Sequence, residues 1–517
     1  MALDTGLLTA MTLAALLIRY PVDLPLWIDW FIGTIAEVIG ISIDNFKLLG
    51  FLVFSYLPAS FLRKLPCRRP YWRNIFNIII SAFFLVVFNF WFALQTVLIS
   101  ANGTYVIVKY IRGKYMPVVA FIFLMGHLSL NHLRRQFFNV DHRMDVTSFQ
   151  MVLCMKLTAF AWNIHDGRQD LSTLTEKQRK YSLKQVPSLL DYLGYIFFFP
   201  SFIVGPSFDM ADYYHWLTNG VSACLSKEKH DDKLEKRLLR KGGYYALKKF
   251  FSGLFYLCLF QLMSLYFSTT FVLGDEFLKT TRIYRFLYLV PLSITHRLKY
   301  YGVWSIAEGA CILSGIGDVT RNHNGEIIHS SFENINPYDV ETAQNTKQLF
   351  EAWNKSANRW LKYYVYLRVI SYDDNSKFKG SFVTFTVSAI WHGFYPGYYC
   401  KKQLYNSFWK FMLISSNYIV SFITGSFVQI LGKYFRKHIR PFFLTKDMKP
   451  TRYKIFYDIL SVLTMQLTWG YIAQPFVILN LRDSIRFWQR YDFFVHYGIL
   501  ALFLLILCPF KALDILS

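Results

Sequence analysis

Long apolar runs, separated by short basic and polar stretches, set the pattern of this chain. The clearest cover residues 11–18, 46–62, 75–100, 118–130, 189–204, 244–267, 382–390, 408–431, 456–479 and 493–507. A helix needs about 20 mostly apolar residues to cross a bilayer, so several runs suffice alone and the shorter ones tilt or re-enter. Backbone polar groups in lipid must be satisfied internally, which favours helices. The pattern predicts an all-α, polytopic transmembrane protein with roughly 10–12 membrane segments, re-entrant and interfacial helices among them. The polar stretches at 166–185, 226–241, 318–336 and 371–379 are each loop-sized, and no fixed-period repeat interrupts the chain. One membrane domain, 1–517, is the economical organisation.

A second periodicity stands out from the spans. Asn336-Pro337-Tyr338-Asp339 offers a side-chain cap, a proline at the first helical position and an early acid. A helix is predicted to follow through roughly Arg368. Lys347, Glu351, Lys355, Arg359 and Lys362 then share one face, while Phe350, Trp353, Ala357, Trp360, Leu361 and Tyr364 share the other. Glu351 and Lys355 are spaced for an i,i+4 ion pair. The helix reads as having a wet face and a buried or membrane-interface face, with Asn354 just inside its apolar arc.

Composition agrees with a membrane protein. Of the 517 residues 54% are hydrophobic and only 17% charged, against about 25% charged in ordinary soluble domains. Lys and Arg number 56 and Asp and Glu 33. Such an excess orients membrane proteins with basic loops toward the cytosol, and the blocks 63–73 and 227–249 are densest. These cations can also attract a polyanionic substrate or lipid headgroups. They flank spans and form no nucleic-acid module, so no nucleic-acid partner is expected. The first ten residues contain Asp4 and no Lys or Arg, which reads as a first membrane segment rather than a cleaved signal peptide. Seven cysteines without a CxxC spacing give neither a disulfide framework nor a zinc site.

Candidate chemistry gathers at SFVTFTVSAIWHGFYPGYY, residues 381–399. An apolar run leads into Trp391-His392-Gly393 and is broken at Pro396-Gly397. An ionisable residue at the end of an apolar span is a functional candidate, because its burial is costly without a task. Gly and Pro allow non-helical backbone there, which membrane proteins tolerate only where it is buried in protein or lines a cavity. Desolvation favours the neutral imidazole that a general base requires. A lone histidine of this kind is more often a satisfied core residue, and the WHG-x-x-PGYY context is what distinguishes it.

That context resembles the signature of the membrane-bound O-acyltransferases, and within them the lysophospholipid acyltransferase branch. Further matching blocks are Gly205-Pro206-Ser207-Phe208-Asp209, the stretch 300–317, and Glu351-Ala352-Trp353-Asn354. The whole looks most like the fungal broad-specificity lysophospholipid acyltransferases. The resemblance implies helices around a central reaction chamber, with His392 and Asn354 as the catalytic pair. It further implies acyl-CoA as co-substrate with no bound cofactor or metal, lysophospholipids and membrane lipid as partners, and residence in the endoplasmic reticulum; it leaves a homodimer open. Trp353, Trp391, Gly393, Tyr398, Glu308 and Tyr300 are candidate substrate-binding residues. Glu308 could instead pair with Arg297 or Lys299.

An acyl thioester is already activated, so the transfer needs no covalent enzyme intermediate. A base for the attacking hydroxyl contributes about 10²- to 10⁴-fold, and a fixed donor for the thioester oxygen suits a dry site. An Asn amide can be that donor or can orient the His. His165 and Asp170 match the H-x4-D motif of an unrelated acyltransferase class but lie in a polar loop without a companion block. His127 and His132 fall on different helix faces, and no G-x-S-x-G elbow occurs. A transporter, with His392 and Glu308 as a proton relay, would call for inverted repeats that the sequence lacks.

Overall fold

The computed structural model describes residues 26–88, 90–137, 146–219, 232–316, 319–321, 327–329, 332–370, 377–394, 424–425, 428, 432, 434–445, 447, 449–479 and 481–507. These residues are helical apart from short connections and one antiparallel hairpin, in which Val319–Arg321 pairs with Ile327–His329. Among them, Ile43–Leu62, Pro70–Val87, Met116–Gln136 and Gly242–Leu273 are long and apolar enough to cross a membrane. The predicted runs at 11–18 and nearly all of 408–431 lie outside the described residues. The run at 75–100 divides, one helix ending at Val87 and the next beginning at Trp91. The run at 189–204 becomes the helix Leu189–Ile196 followed by a tight turn, Phe199–Ser201, around Pro200. Proline removes a donor and clashes with the preceding turn, so the helix cannot continue.

The chain forms two compact units. The first comprises Met1–Phe255, Gly302–Asn334 and Ser356–Thr384. Its centre is the helix Thr147–Gly167, buried on nearly every face and packed against Trp91–Tyr110 and Met116–Phe137. A helix apolar on most faces belongs inside a bundle, and three of its polar exceptions are firmly partnered. Lys156 donates to the Tyr195 carbonyl at 2.7 Å and lies over the Tyr195 ring. Asn163 donates to Asp209 at 3.0 Å. Asp166 accepts both arms of the Arg368 guanidinium, at 2.7 and 2.5 Å.

The second unit comprises Tyr256–Tyr301, Ile335–Lys355 and Phe385–Ser517. Its core joins Tyr288, Leu289 and Leu292 to Tyr471, Ile472, Phe487, Trp488 and Tyr491. The helix Lys454–Ile472 approaches the N-terminal part of Arg282–Leu313 closely at Gly470. A Cβ there would lie 3.2 Å from that of Ser293. Small residues permit such contact between membrane helices, and here it brings Gln466, one turn earlier, to Arg297 at 2.7 Å.

Removing one partner of a buried ion pair strands the other charge, at a cost of about 3–5 kcal/mol. Arg368→Met should therefore lower the melting temperature of the detergent-solubilised protein by several degrees. An unchanged melting curve would show that Asp166 does not need this partner.

Candidate active site

The helix predicted from Asn336 to about Arg368 begins as the sequence suggests. Asn336 caps it by accepting from the Asp339 amide, and Pro337 occupies the first turn. It does not continue unbroken. It ends at Glu341, restarts as Thr346–Ala352 under an Asn345 cap, and breaks again before Lys355–Trp360. The cause at the second break is local: Asn354 has φ 42°, in the left-handed region that asparagine enters more readily than most residues. An amphipathic pattern fixes which side chains face inward, but it runs through such a break undisturbed. Within this helix Lys347 and Glu351 form an i,i+4 pair at 3.6 Å, and Lys355 lies beyond the break.

Trp353 packs edge-on against Tyr300 and Tyr301, with ring centroids 5.5 and 6.1 Å away. Both tyrosines belong to the helix Arg282–Leu313, so aromatic contact fixes the residue immediately before Asn354. The helix Lys377–His392 ends at the candidate base. Gly393 follows with φ 109°, a conformation open to glycine and strained for any residue with a Cβ. Its amide closes the helix on the carbonyls of Ala389 and Ile390. The His392 ring sits between Trp391, 4.8 Å away, and Phe476, 5.6 Å away, both edge-on. The imidazole thus stands at a helix end, half-buried and held between aromatic rings.

His392, Asn354, Trp353, Trp391, Gly393 and Tyr300 all belong to the second unit. Glu308 belongs to the first, and Tyr398 lies outside the described residues. Glu308 is buried and meets Lys249 at 3.0 Å, not Arg297 or Lys299. Eleven residues separate Arg297 from Glu308 on one helix, about 16 Å of rise. Arg297 is taken by Glu341, which it grips through Nε at 2.9 Å and Nη2 at 2.6 Å. Glu341 was not among the sequence candidates; a single acid after a capped proline turn carries no signal of its own.

The first unit holds a separate polar locus. Asp209 accepts from Asn163 and from the Tyr364 hydroxyl, and the Trp360 indole donates to Thr158 at 2.8 Å. Tyr364 rides on a π-helical turn, Leu361–Tyr366, a wide geometry frequent at functional sites. Nearby, Lys177 lies 3.3 Å from the Tyr363 ring centroid. Burial lowers its pKa to about 8, assisted by repulsion from Arg359 and Lys362. The H-x4-D acid is accounted for structurally, since Asp170 caps the turn Leu171–Thr173 by accepting from the Ser172 amide.

The profile of the membrane-bound O-acyltransferase family matches residues 140–411. A protein of Schizosaccharomyces pombe named lysophospholipid acyltransferase is 36% identical over 93% of this chain and 88% of its own length. A Saccharomyces cerevisiae protein of the same name is 37% identical over 91% of this chain and 75% of its own. The human membrane-bound glycerophospholipid O-acyltransferase 2 is 26% identical over 92% and 87%.

A side chain at position 393 would strain the turn after His392 by about 1–3 kcal/mol. Gly393→Ala is therefore expected to lower the melting temperature of the purified protein. A melting curve superimposable on the parent's would contradict the φ assigned to that residue.

Proposed function

The chain belongs to the membrane-bound O-acyltransferase family, and from that premise we propose that it transfers a fatty acyl group from acyl-CoA to the free hydroxyl of a lysophospholipid. The observation that carries the reading is the near full-length similarity to two fungal proteins so named. The chain is an O-acyltransferase with several membrane helices; donor, acceptor and catalytic roles are the proposal.

In the proposed reaction the imidazole of His392 takes the proton of the acceptor hydroxyl as its oxygen attacks the thioester carbonyl carbon. The carbonyl oxygen gains negative charge, which the Asn354 amide is suited to stabilise by hydrogen bonding; the same amide could serve by orienting the imidazole. The C–S bond then breaks, the ester remains on the lipid, and the coenzyme A thiolate recovers a proton from the imidazolium. No prosthetic group is needed. The contacts of the His392 ring with Trp391 and Phe476 support it as a base held in a fixed orientation, as proton abstraction requires. A lipid acceptor can arrive laterally through the bilayer. The proposal extends to residence in the endoplasmic-reticulum membrane.

Purified protein assayed with acyl-CoA against lysophosphatidylcholine, lysophosphatidylethanolamine and lysophosphatidate should consume thioester with at least one acceptor. His392→Ala should abolish turnover while leaving expression and membrane insertion intact, and a near-normal rate in that variant removes His392 from the mechanism. Asn354→Ala should lose about 10-fold or more, the scale of removing an oxyanion donor; an unchanged rate would reduce Asn354 to a structural residue.

A further inference from the structure

Arg297, Glu341, Tyr301 and Gln466 form a polar cluster far denser than its neighbourhood demands. The Glu341 carboxylate accepts four hydrogen bonds. Arg297 gives two, at 2.9 and 2.6 Å, the Tyr301 hydroxyl one at 2.5 Å, and the Gln466 amide one at 3.1 Å. The same Gln466 amide also donates to the Glu341 backbone carbonyl at 2.8 Å, and its oxygen accepts from Arg297 at 2.7 Å. Arg297 completes the set by donating to Ser293 at 2.6 Å. The cluster is largely hidden, the Arg297 and Glu341 side chains being 13% and 28% exposed.

A buried ion pair is a weak source of stability, since desolvating two charges offsets much of their attraction. It is well suited to fixing geometry, because a guanidinium fork accepts a carboxylate in essentially one orientation. What this cluster fixes is visible in its connections. Glu341 is the last residue of Pro337–Glu341, and the Asn336 amide at the head of that helix donates to the Ala352 carbonyl at 3.2 Å. Ala352 immediately precedes Trp353 and Asn354. From the other side, the Tyr301 ring that donates its hydroxyl to Glu341 also packs against Trp353. A further tie holds the intervening turn, where Arg436 donates to Asn345 at 2.6 Å. The two residues that lead into the left-handed Asn354 are thus both held, Ala352 through its backbone carbonyl and Trp353 through its indole.

We infer that the Arg297–Glu341–Tyr301 cluster, with Gln466, is a positioning device for Asn354. Glu341 and Tyr301 touch no reacting atom in this account; they set where the Asn354 amide stands. The inference rests on the proposed catalytic role of Asn354. It explains why an ionic cluster occupies a place that apolar packing could fill, and why a strained asparagine persists beside it, since sparsely populated backbone conformations survive where their surroundings over-determine them.

The test is a kinetic cycle on the full-length protein in detergent or nanodiscs. Tyr301→Phe removes only a hydroxyl, and Glu341→Gln keeps the side chain's shape while removing its charge. Each is expected to lower kcat by about tenfold or more, since small misplacements of a reacting group are costly. KM for both substrates should stay near the parent's in both variants, and the melting temperature near the parent's for Tyr301→Phe, which leaves both charges paired; Glu341→Gln strands Arg297 and is expected to melt lower. Residues acting through one another are non-additive, so adding either substitution to Asn354→Ala should cost little more than Asn354→Ala alone. If that background is too slow to measure, the division between kcat and KM in the single variants decides. Full, multiplicative losses in the Asn354→Ala background would overturn the positioning role, as would a fall in kcat matched by a fall in melting temperature for Tyr301→Phe. An unimpaired Asn354→Ala would instead overturn the reading of Asn354 and take this inference with it.

Discussion

Where water is scarce, burying a polar group is costly unless it finds a partner within the chain, and the described structure meets that cost most fully at three acids. Asp166 is closed by the Arg368 fork, Asp209 by Asn163 and Tyr364, and Glu341 by Arg297, Tyr301 and Gln466. Each pairing joins elements distant in sequence. In the first unit they lock the buried helix Thr147–Gly167 to the segment beyond Trp360; in the second they lock Arg282–Leu313 to the turn that ends at Asn354. Apolar burial provides bulk attraction. The polar contacts select which of many apolar packings is adopted.

The same constraint shapes the two backbone features at the candidate site. A helix that stops inside a membrane protein leaves carbonyls without partners. At Gly393 the chain meets this by closing the turn with the glycine amide, which leaves the His392 ring at the helix end between two aromatic neighbours. At Asn354 it meets it with a residue able to enter the left-handed region. In both places a helix is interrupted beside the side chain to which the chemistry is assigned. Acyl transfer from a thioester needs an accessible base and a fixed dipole, and an uninterrupted helix would present neither.

Much of this was legible in the residues. Apolar runs marked the long helices, Asn336-Pro337 marked a capped helix start, and the blocks ending in Trp391-His392-Gly393 marked the family. Three things were not. The break at Asn354 escaped because periodicity reports a face, and one positive φ changes the direction of a helix without changing the composition of its faces. The partner of Glu308 was sought nearby on its own helix, whereas Lys249, fifty-nine residues earlier in sequence, holds it. Glu341 was silent because its meaning lies wholly in three residues brought to it by tertiary packing. Local patterns announce helices and caps; long-range polar pairing does not show until the chain is folded.

Acyl transfer between a thioester and a lipid hydroxyl underlies every role assigned above. It is tested most directly by following isotopically labelled acyl chains through the purified protein, reconstituted in nanodiscs with lysophospholipid, by mass spectrometry. Labelled phospholipid and free coenzyme A should appear in equal amounts. Labelled free fatty acid in place of phospholipid, or a thioester left intact with every lysophospholipid offered, would contradict it.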